Sequence, residues 1–242
     1  MSLAMKPSSN GEIVAPRLAA TVLLVRDGPD GLQVFMVTRH RQIEFASGAL
    51  VFPGGGVDPG DRALAGEDIE RISRVAAVRE TYEECGVLLA RRRRGGALAA
   101  PSAAPFHERV KAEDLELSLD ALTLFAHWIT PPILSKRFDT RFYIVEAPAD
   151  QTAVHDGGEA VDSIWIEPQR ALEDAVRGRY ALVLPTRLNL ELLGRSATAA
   201  EAISAAKSRR VAPIEPTAQK TETGYRLTIP IDAGYGGPHF DV

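Results

Sequence analysis

The stretch RVAAVRETYEECGVLL (74–89) sets Glu80, Glu83 and Glu84 at helical neighbour spacing. At ~100° per residue, Glu80 and Glu84 stand ~40° apart and Glu83 falls on the other side of Glu80, so all three share a wedge of ~100°. Like charges so placed repel by ~0.2–0.5 kcal/mol per pair when solvated, and by more when partly desolvated. A cation gathered between them would remove that repulsion. Hard divalent ions such as Mg²⁺ take oxygen ligands of this kind and bind through carboxylates together with substrate phosphates. Upstream, FPGGGVDPGD (52–61) carries Gly54, Gly55 and Gly56, whose backbones can enter conformations closed to other residues and approach a ligand closely. Taken alone, ETYEE reads as a solvated acidic face; the glycine loop upstream and the Arg-Glu and Gly-Val that flank it point instead to a metal platform.

The elements that must position these groups follow from periodicity. Residues 17–27 and 32–40 are β-rich apolar runs separated by GPDG, which reads as a hairpin. Residues 48–61 are a short strand entering the glycine loop. From about 67 to 85 the pattern is helical, with Ile69, Ile72, Val75, Ala76 and Tyr82 on one side and Gly86 in the C′ position. Residues 124–130, 141–148 and 161–168 read as strands; 169–176, 185–195 and 196–210 read as helices, and YRLTIPI is strand-like. The Arg/Ala/Gly/Pro-rich stretch 90–105 reads as an exposed loop. Cys85 reads as a small packing residue, and His127 and Trp128 as core or sheet-face residues.

Composition restricts the function classes. The 242 residues are 45% hydrophobic and 25% charged, with a net charge of −4, which disfavours non-specific nucleic-acid or membrane binding. The single cysteine rules out an intramolecular disulfide. No apolar run approaches the ~20 residues of a membrane-spanning helix, and a cytoplasmic location is the expectation.

Read together, FPGGGVDPGD, a spacer and AAVRETYEECGV resemble the box of the nudix hydrolase family, G-x5-E-x7-R-E-U-x-E-E-x-G-U with U aliphatic. Gly55 matches the first glycine; Arg79, Glu80, Glu83, Glu84, Gly86 and Val87 match the second half. Asp61 stands where the box has Glu, seventeen residues instead of seven separate it from Arg79, and Thr81 replaces an aliphatic residue, so Asp61 receives little functional weight. The resemblance implies an α/β nudix fold, a mixed β-sheet sandwiched between helices (α/β/α) with a helical insertion after the box. It divides the chain into a flexible N-terminal segment 1–15, a nudix hydrolase domain 16–195 with the insertion at about 90–120, and a C-terminal helix and tail 196–242. It further implies an enzyme that hydrolyses, with Mg²⁺ or Mn²⁺, the diphosphate of a nucleoside diphosphate linked to another moiety. Carried over residue by residue, Glu80, Glu83, Glu84 and the Gly55 carbonyl are the metal ligands. Arg79, Gly54 and Gly86 support the site. The general base is Glu83, or Glu159 from the loop of HDGGEAVDSIWIEP.

For the substrate, VTRHRQIEFASGALVFPGG resembles the segment preceding the box in coenzyme A diphosphatases: Thr38, Gly48 and residues 52–55 fit, and Glu44 stands where that motif has Arg. The long insertion and WITPPILSKRFDTRFYI resemble the nudix motif 19 type. Together they imply cleavage of coenzyme A or an acyl-CoA to 3′,5′-ADP and (acyl-)phosphopantetheine, with Arg39, Arg41, Phe52 and Arg137 touching the substrate. ADP-ribose, NADH or nucleotide-sugar hydrolysis is the alternative, and a non-catalytic nucleotide-binding regulator is a further one, disfavoured because the box keeps its glutamates. The partner expected is a small-molecule nucleotide, with neither nucleic acid nor membrane, and a homodimer is a common family state.

Overall fold

The computed structural model describes residues 13–39, 48–99, 104–155, 157–158 and 160–242. Its spine is β1 (Arg17–Gly28), whose run AATVLLV is largely buried on both faces, as a strand covered from two sides must be. A two-residue turn leads to the antiparallel β2 (Gly31–Arg39), with Gly31 at a φ of 124° that favours glycine. β3 (Leu50–Val51) and β4 (Gly54–Gly56) follow, then α1 (Pro59–Ala65) and α2 (Ile69–Cys85). β5 (Ala90–Arg92), α3 (Phe106–Ala112) and β6 (Leu115–Leu117) form the insertion, and β7 (Thr123–Ile129), β8 (Phe138–Glu146) and β9 (Ala160–Ile166) return to the main sheet. α4 (Pro168–Val176), α5 (Leu184–Leu193) and α6 (Ala199–Ser208) precede β10 (Thr217–Lys220), β11 (Tyr225–Thr228) and β12 (His239–Asp241).

The seven-stranded sheet runs β3-β2-β1-β8-β7, with β9 added to β2 and β4 added to β1. The β1–β8 pair is parallel and the other pairs are antiparallel, so the sheet is mixed. One edge of β1 is divided: Ala19, Ala20 and Thr21 pair with the glycines of β4, and residues 25–28 pair with β2. That division brings the glycine loop against the middle of the sheet. Ala20, Val22, Leu24, Tyr143 and Val145 pack under α2 and α3. Leu23, Val25, Phe142 and Ile144 face α4, α5 and α6 across the other side. The architecture is the α/β/α sandwich expected from the sequence.

Two differences from the sequence reading have local causes. The stretch at 90–105 begins as β5, paired with β6, and Arg91 to Arg94 each meet a carboxylate from Glu113, Asp114 or Glu116. Ile69, expected on the buried side of α2, is half exposed because it opens the helix just after its cap, Asp68. Residues 196–242 are continuous with the domain core: Leu227, Ile229 and Tyr235 join Leu188 and Leu190 in one cluster, and Tyr235 Oη donates to Asn189 Oδ1 at 2.7 Å. Among the described residues no helix is long and apolar enough to cross a membrane.

If the C-terminal sheet shares that core, Leu227→Ala should cost about 2–4 kcal/mol, the usual loss for emptying a buried leucine site. Chemical denaturation should still show one transition, shifted to lower denaturant. A separate early transition with the main one unmoved would contradict the shared core.

Candidate active site

The site is built where α2 passes over β4. α2 starts at Asp68, whose carboxylate accepts from the backbone of Glu70 and Arg71, and ends at Gly86, which takes the left-handed conformation (φ 71°) and donates its N–H to Tyr82 O. Between these caps the apolar residues turn to the sheet and present Glu80, Glu83 and Glu84 toward the glycine loop. Gly54 N–H donates to Glu84 Oε2 at 2.9 Å. A Cβ on Gly55 would lie 2.6 Å from Glu80 Oε1, so the Glu80 carboxylate occupies the space that any other residue would need. Gly54 has a φ of 154°, and a Cβ there would lie 2.4 Å from Ala20 O. Gly54 is required by its close approach to β1, whereas a side chain at Gly55 would have to push the Glu80 carboxylate aside.

Arg79 binds this arrangement together. Its Nε and Nη2 donate to the two oxygens of Asp61, both at 2.9 Å; Nη2 also donates to Gly56 O at 2.7 Å. Its Nη1 reaches Glu80 Oε1 and Glu83 Oε2, each at 2.8 Å. Burial works against the guanidinium charge, but the bonds to Asp61, Glu80 and Glu83 more than offset it and hold the group charged. One positive charge thus meets three carboxylates, and Glu84 lies alongside.

The three glutamates are not equivalent. Glu80 keeps 13% of its side chain exposed and Glu83 keeps 43%. Burial pushes the Glu80 carboxyl up to about 7, Arg79 pulls it down, and Glu83 and Asp61 add to the rise. The oxygens that could hold a cation here are those of the Glu80 and Glu84 carboxylates and main-chain oxygen beside Gly55. All are hard oxygens, a set that fits Mg²⁺ or Mn²⁺.

Asp61 is the residue that the sequence reading undervalued. The capping box of α1, in which Asp58 accepts from the Asp61 backbone and Asp61 accepts from that of Asp58, turns the chain back toward α2. The extra sequence is absorbed by the rest of α1, by the Gly66 turn and by the first turns of α2, so Asp61 reaches Arg79 despite the altered spacing. The D-P-G-D pattern was the available signal. Asp58, Asp61 and His107 also bring potential ligand atoms within 4.8 Å of one another, but both Asp61 oxygens already accept from Arg79.

Of the other expected residues, Phe52 and Arg137 are taken up in the core and in structural bonds. Phe52 is buried in the core beside Leu50. Arg137 is buried, donating to Thr130 O, to Val14 O and to the Glu215 carboxylate. Arg39 is the last residue of β2, and Arg41 and Glu159 lie outside the described residues. Cys85, His127 and Trp128 are buried, as expected of packing residues.

A family model, the NUDIX domain, matches residues 15–186. The chain belongs to the NUDIX hydrolase family. Members typically depend on a divalent metal and act on small nucleotide substrates. A putative nudix hydrolase of Caenorhabditis elegans is 31% identical over 170 residues, covering 67% of this chain and 56% of its own length. A peroxisomal coenzyme A diphosphatase of the same organism is 39% identical over 66 residues, 27% of this chain and 25% of its own length. The chain therefore spans about half or less of these curated relatives. A NUDIX hydrolase crystal structure from Alicyclobacillus acidocaldarius is 28% identical with a TM-score of 0.72, over 80% of this chain and 97% of that one. It carries the same fold.

Two outcomes follow from the geometry. Gly55→Ala should displace Glu80 and lower turnover by about tenfold or more, on the scale of disturbed outer-shell partners; wild-type kinetics in that variant would show that the close approach is immaterial. In metal-free protein, Glu80 titrates near 4.5 unfolded and about 7 folded, so the native state binds more protons between those values. The stability contributed by its protonated form is complete below about pH 4.5 and is lost as pH rises through about 7. Thermal melting in chelator should therefore lose more stability over that window in wild type than in Glu80→Gln; identical profiles would contradict the shift.

Proposed function

We propose that this NUDIX hydrolase cleaves the diphosphate of coenzyme A or an acyl-CoA, releasing 3′,5′-ADP and (acyl-)phosphopantetheine, with Glu80, Glu84 and the Gly55 carbonyl holding the divalent ion. The observation that carries the metal reading is the convergence of Glu80 and Glu84 on one glycine strand, with the Arg79 guanidinium shared between Glu80 and Glu83. The substrate reading is supported by the partial likeness to a coenzyme A diphosphatase and by the segment leading into the glycine loop.

In this reading Glu80, Glu84 and the Gly55 carbonyl would hold a divalent ion, which would supply charge neutralisation of the diphosphate and a more acidic water. Water adds to one phosphorus, the bridging P–O bond breaks, and the other phosphate leaves with the bridging oxygen. Glu83, the most open of the three glutamates, would accept the water's proton, with Glu159 as the other candidate base. Arg79 keeps Glu80 and Glu83 at a set separation without touching substrate. Gly54 anchors Glu84 through its N–H. Preorganisation of this kind supplies most of the rate in phosphoryl transfer.

A panel of coenzyme A, ADP-ribose and NADH, each with Mg²⁺ or Mn²⁺ and products identified by mass, tests the proposal. Coenzyme A should be cut fastest, chelator should stop the reaction, and Glu84→Gln should cost more than the about 10–100-fold typical of an outer-shell partner. Preference for ADP-ribose or NADH would move the substrate assignment. Full activity in Glu84→Gln would remove that ligand.

A further inference from the structure

Asp61 is a saturated carboxylate. Oδ1 accepts from Arg79 Nε at 2.9 Å and lies 3.2 Å from His107 Nε2; Oδ2 accepts from Arg79 Nη2 at 2.9 Å and from the Asp58 backbone N–H at 3.0 Å. A carboxylate offers about four lone-pair sites, and each is taken in a residue with no solvent exposure. Three of the four donors come from α2 and the cap of α1. The fourth comes from α3, inside the insertion.

The His107 ring has a prepared seat. A Cβ on Gly60 would lie 2.3 Å from His107 Cε1, so Gly60 is glycine for room. Phe106 meets the ring edge-on at 5.4 Å between centroids. Two residues on, Arg109 Nη1 donates to Tyr82 Oη at 2.7 Å, tying α3 to α2. Because a carboxylate only accepts, the Nε2 facing Asp61 carries the hydrogen in this contact.

We propose that His107 is a positioning residue for the hydrolytic site: it closes the last acceptor of Asp61, which squares the Arg79 fork and thereby sets the separation of Glu80 and Glu83. The insertion is then part of the machinery that shapes the metal-binding helix. This inference rests on the metal-dependent reading above.

The test compares His107→Ala, His107→Gln, Gly60→Ala and, as a control on the same helix, Val110→Ala, which empties a buried position without touching Asp61. Mn²⁺ affinity, read from the free-ion paramagnetic resonance signal, should fall by about tenfold in His107→Ala, at the low end of outer-shell effects. Turnover should fall with it. Gln, which restores a donor, should recover much of the loss; Gly60→Ala, which keeps the imidazole but displaces it, should reproduce it. Val110→Ala should lower the melting temperature and leave Mn²⁺ affinity unchanged. Hydrogen exchange at Arg79 Nε, measured by NMR without metal, should quicken in His107→Ala alone of the two alanine variants on α3. Unchanged exchange and Mn²⁺ affinity in His107→Ala, or equal changes in Val110→Ala, would overturn the proposal. If wild type bound no Mn²⁺ the metal reading would fail separately, and the Arg79 exchange would still decide the role of His107.

Discussion

The site depends on the two-pronged bond between Arg79 and Asp61. Both partners are buried, so neither charge could persist there alone; removing one partner of such a pair typically costs about 3–5 kcal/mol because the other is left uncompensated. Their meeting has a geometric consequence. Once Nε and Nη2 are spent on Asp61, the plane of the guanidinium is set, and Nη1 can point only toward Glu80 and Glu83. A planar fork does this where a lysine could not. The positions of the Glu80 and Glu83 carboxylates are thus referred to α1 as well as to the backbone of α2.

The glycine strand supplies the opposing wall for a different reason. β4 pairs with β1 through Ala19, Ala20 and Thr21, and Gly54 packs directly on the β1 backbone. Because β1 is also bonded to β8 along most of its length, the loop inherits the rigidity of the centre of the sheet. Glu80 and Glu84 meet this wall from the helix, so the spacing between α2 and the sheet, set by Val75, Ala76, Val78 and Tyr143, controls the spacing between carboxylates and main chain. Packing and chemistry are coupled through one helix–sheet distance.

What could be read from the sequence follows from how local each feature is. The second half of the box was legible because Arg79, Glu80, Glu83, Glu84 and Gly86 lie within about two turns of one helix, where spacing alone determines direction. The sandwich was legible from its strand and helix periodicities. Asp61 was undervalued because its partner is brought near by a change of chain direction, and a count of intervening residues carries no information about that. Motif and charge point to Phe52 and Arg137 as substrate contacts. The first is in the core, and the second ties the start of β1 to Glu215, a residue far along the chain that no local pattern could connect to it. His107 had no signal of its own; its meaning comes from a neighbour forty-six positions away. The C-terminal strands were legible in part, as YRLTIPI, but their membership of the core depends on long-range packing.

The placement of the acidic cluster also carries a cost that explains its supports. Glu80, Glu83 and Glu84 sit in the final turns of α2, where the helix dipole is negative, and that last turn has no basic residue. Acidic groups there are disfavoured by the dipole, by one another and, for Glu80, by burial. Arg79 offsets part of this from within the helix, and the Gly54 N–H offsets part at Glu84. In the metal reading proposed above, a divalent ion would relieve this cost, whereas a site fully neutralised by its own side chains would gain little from one. A fold can maintain such a site only if the helix is held from outside the cluster. Here the Asp68 cap, the Gly86 terminus, the sheet beneath and the insertion beside α2 all do so.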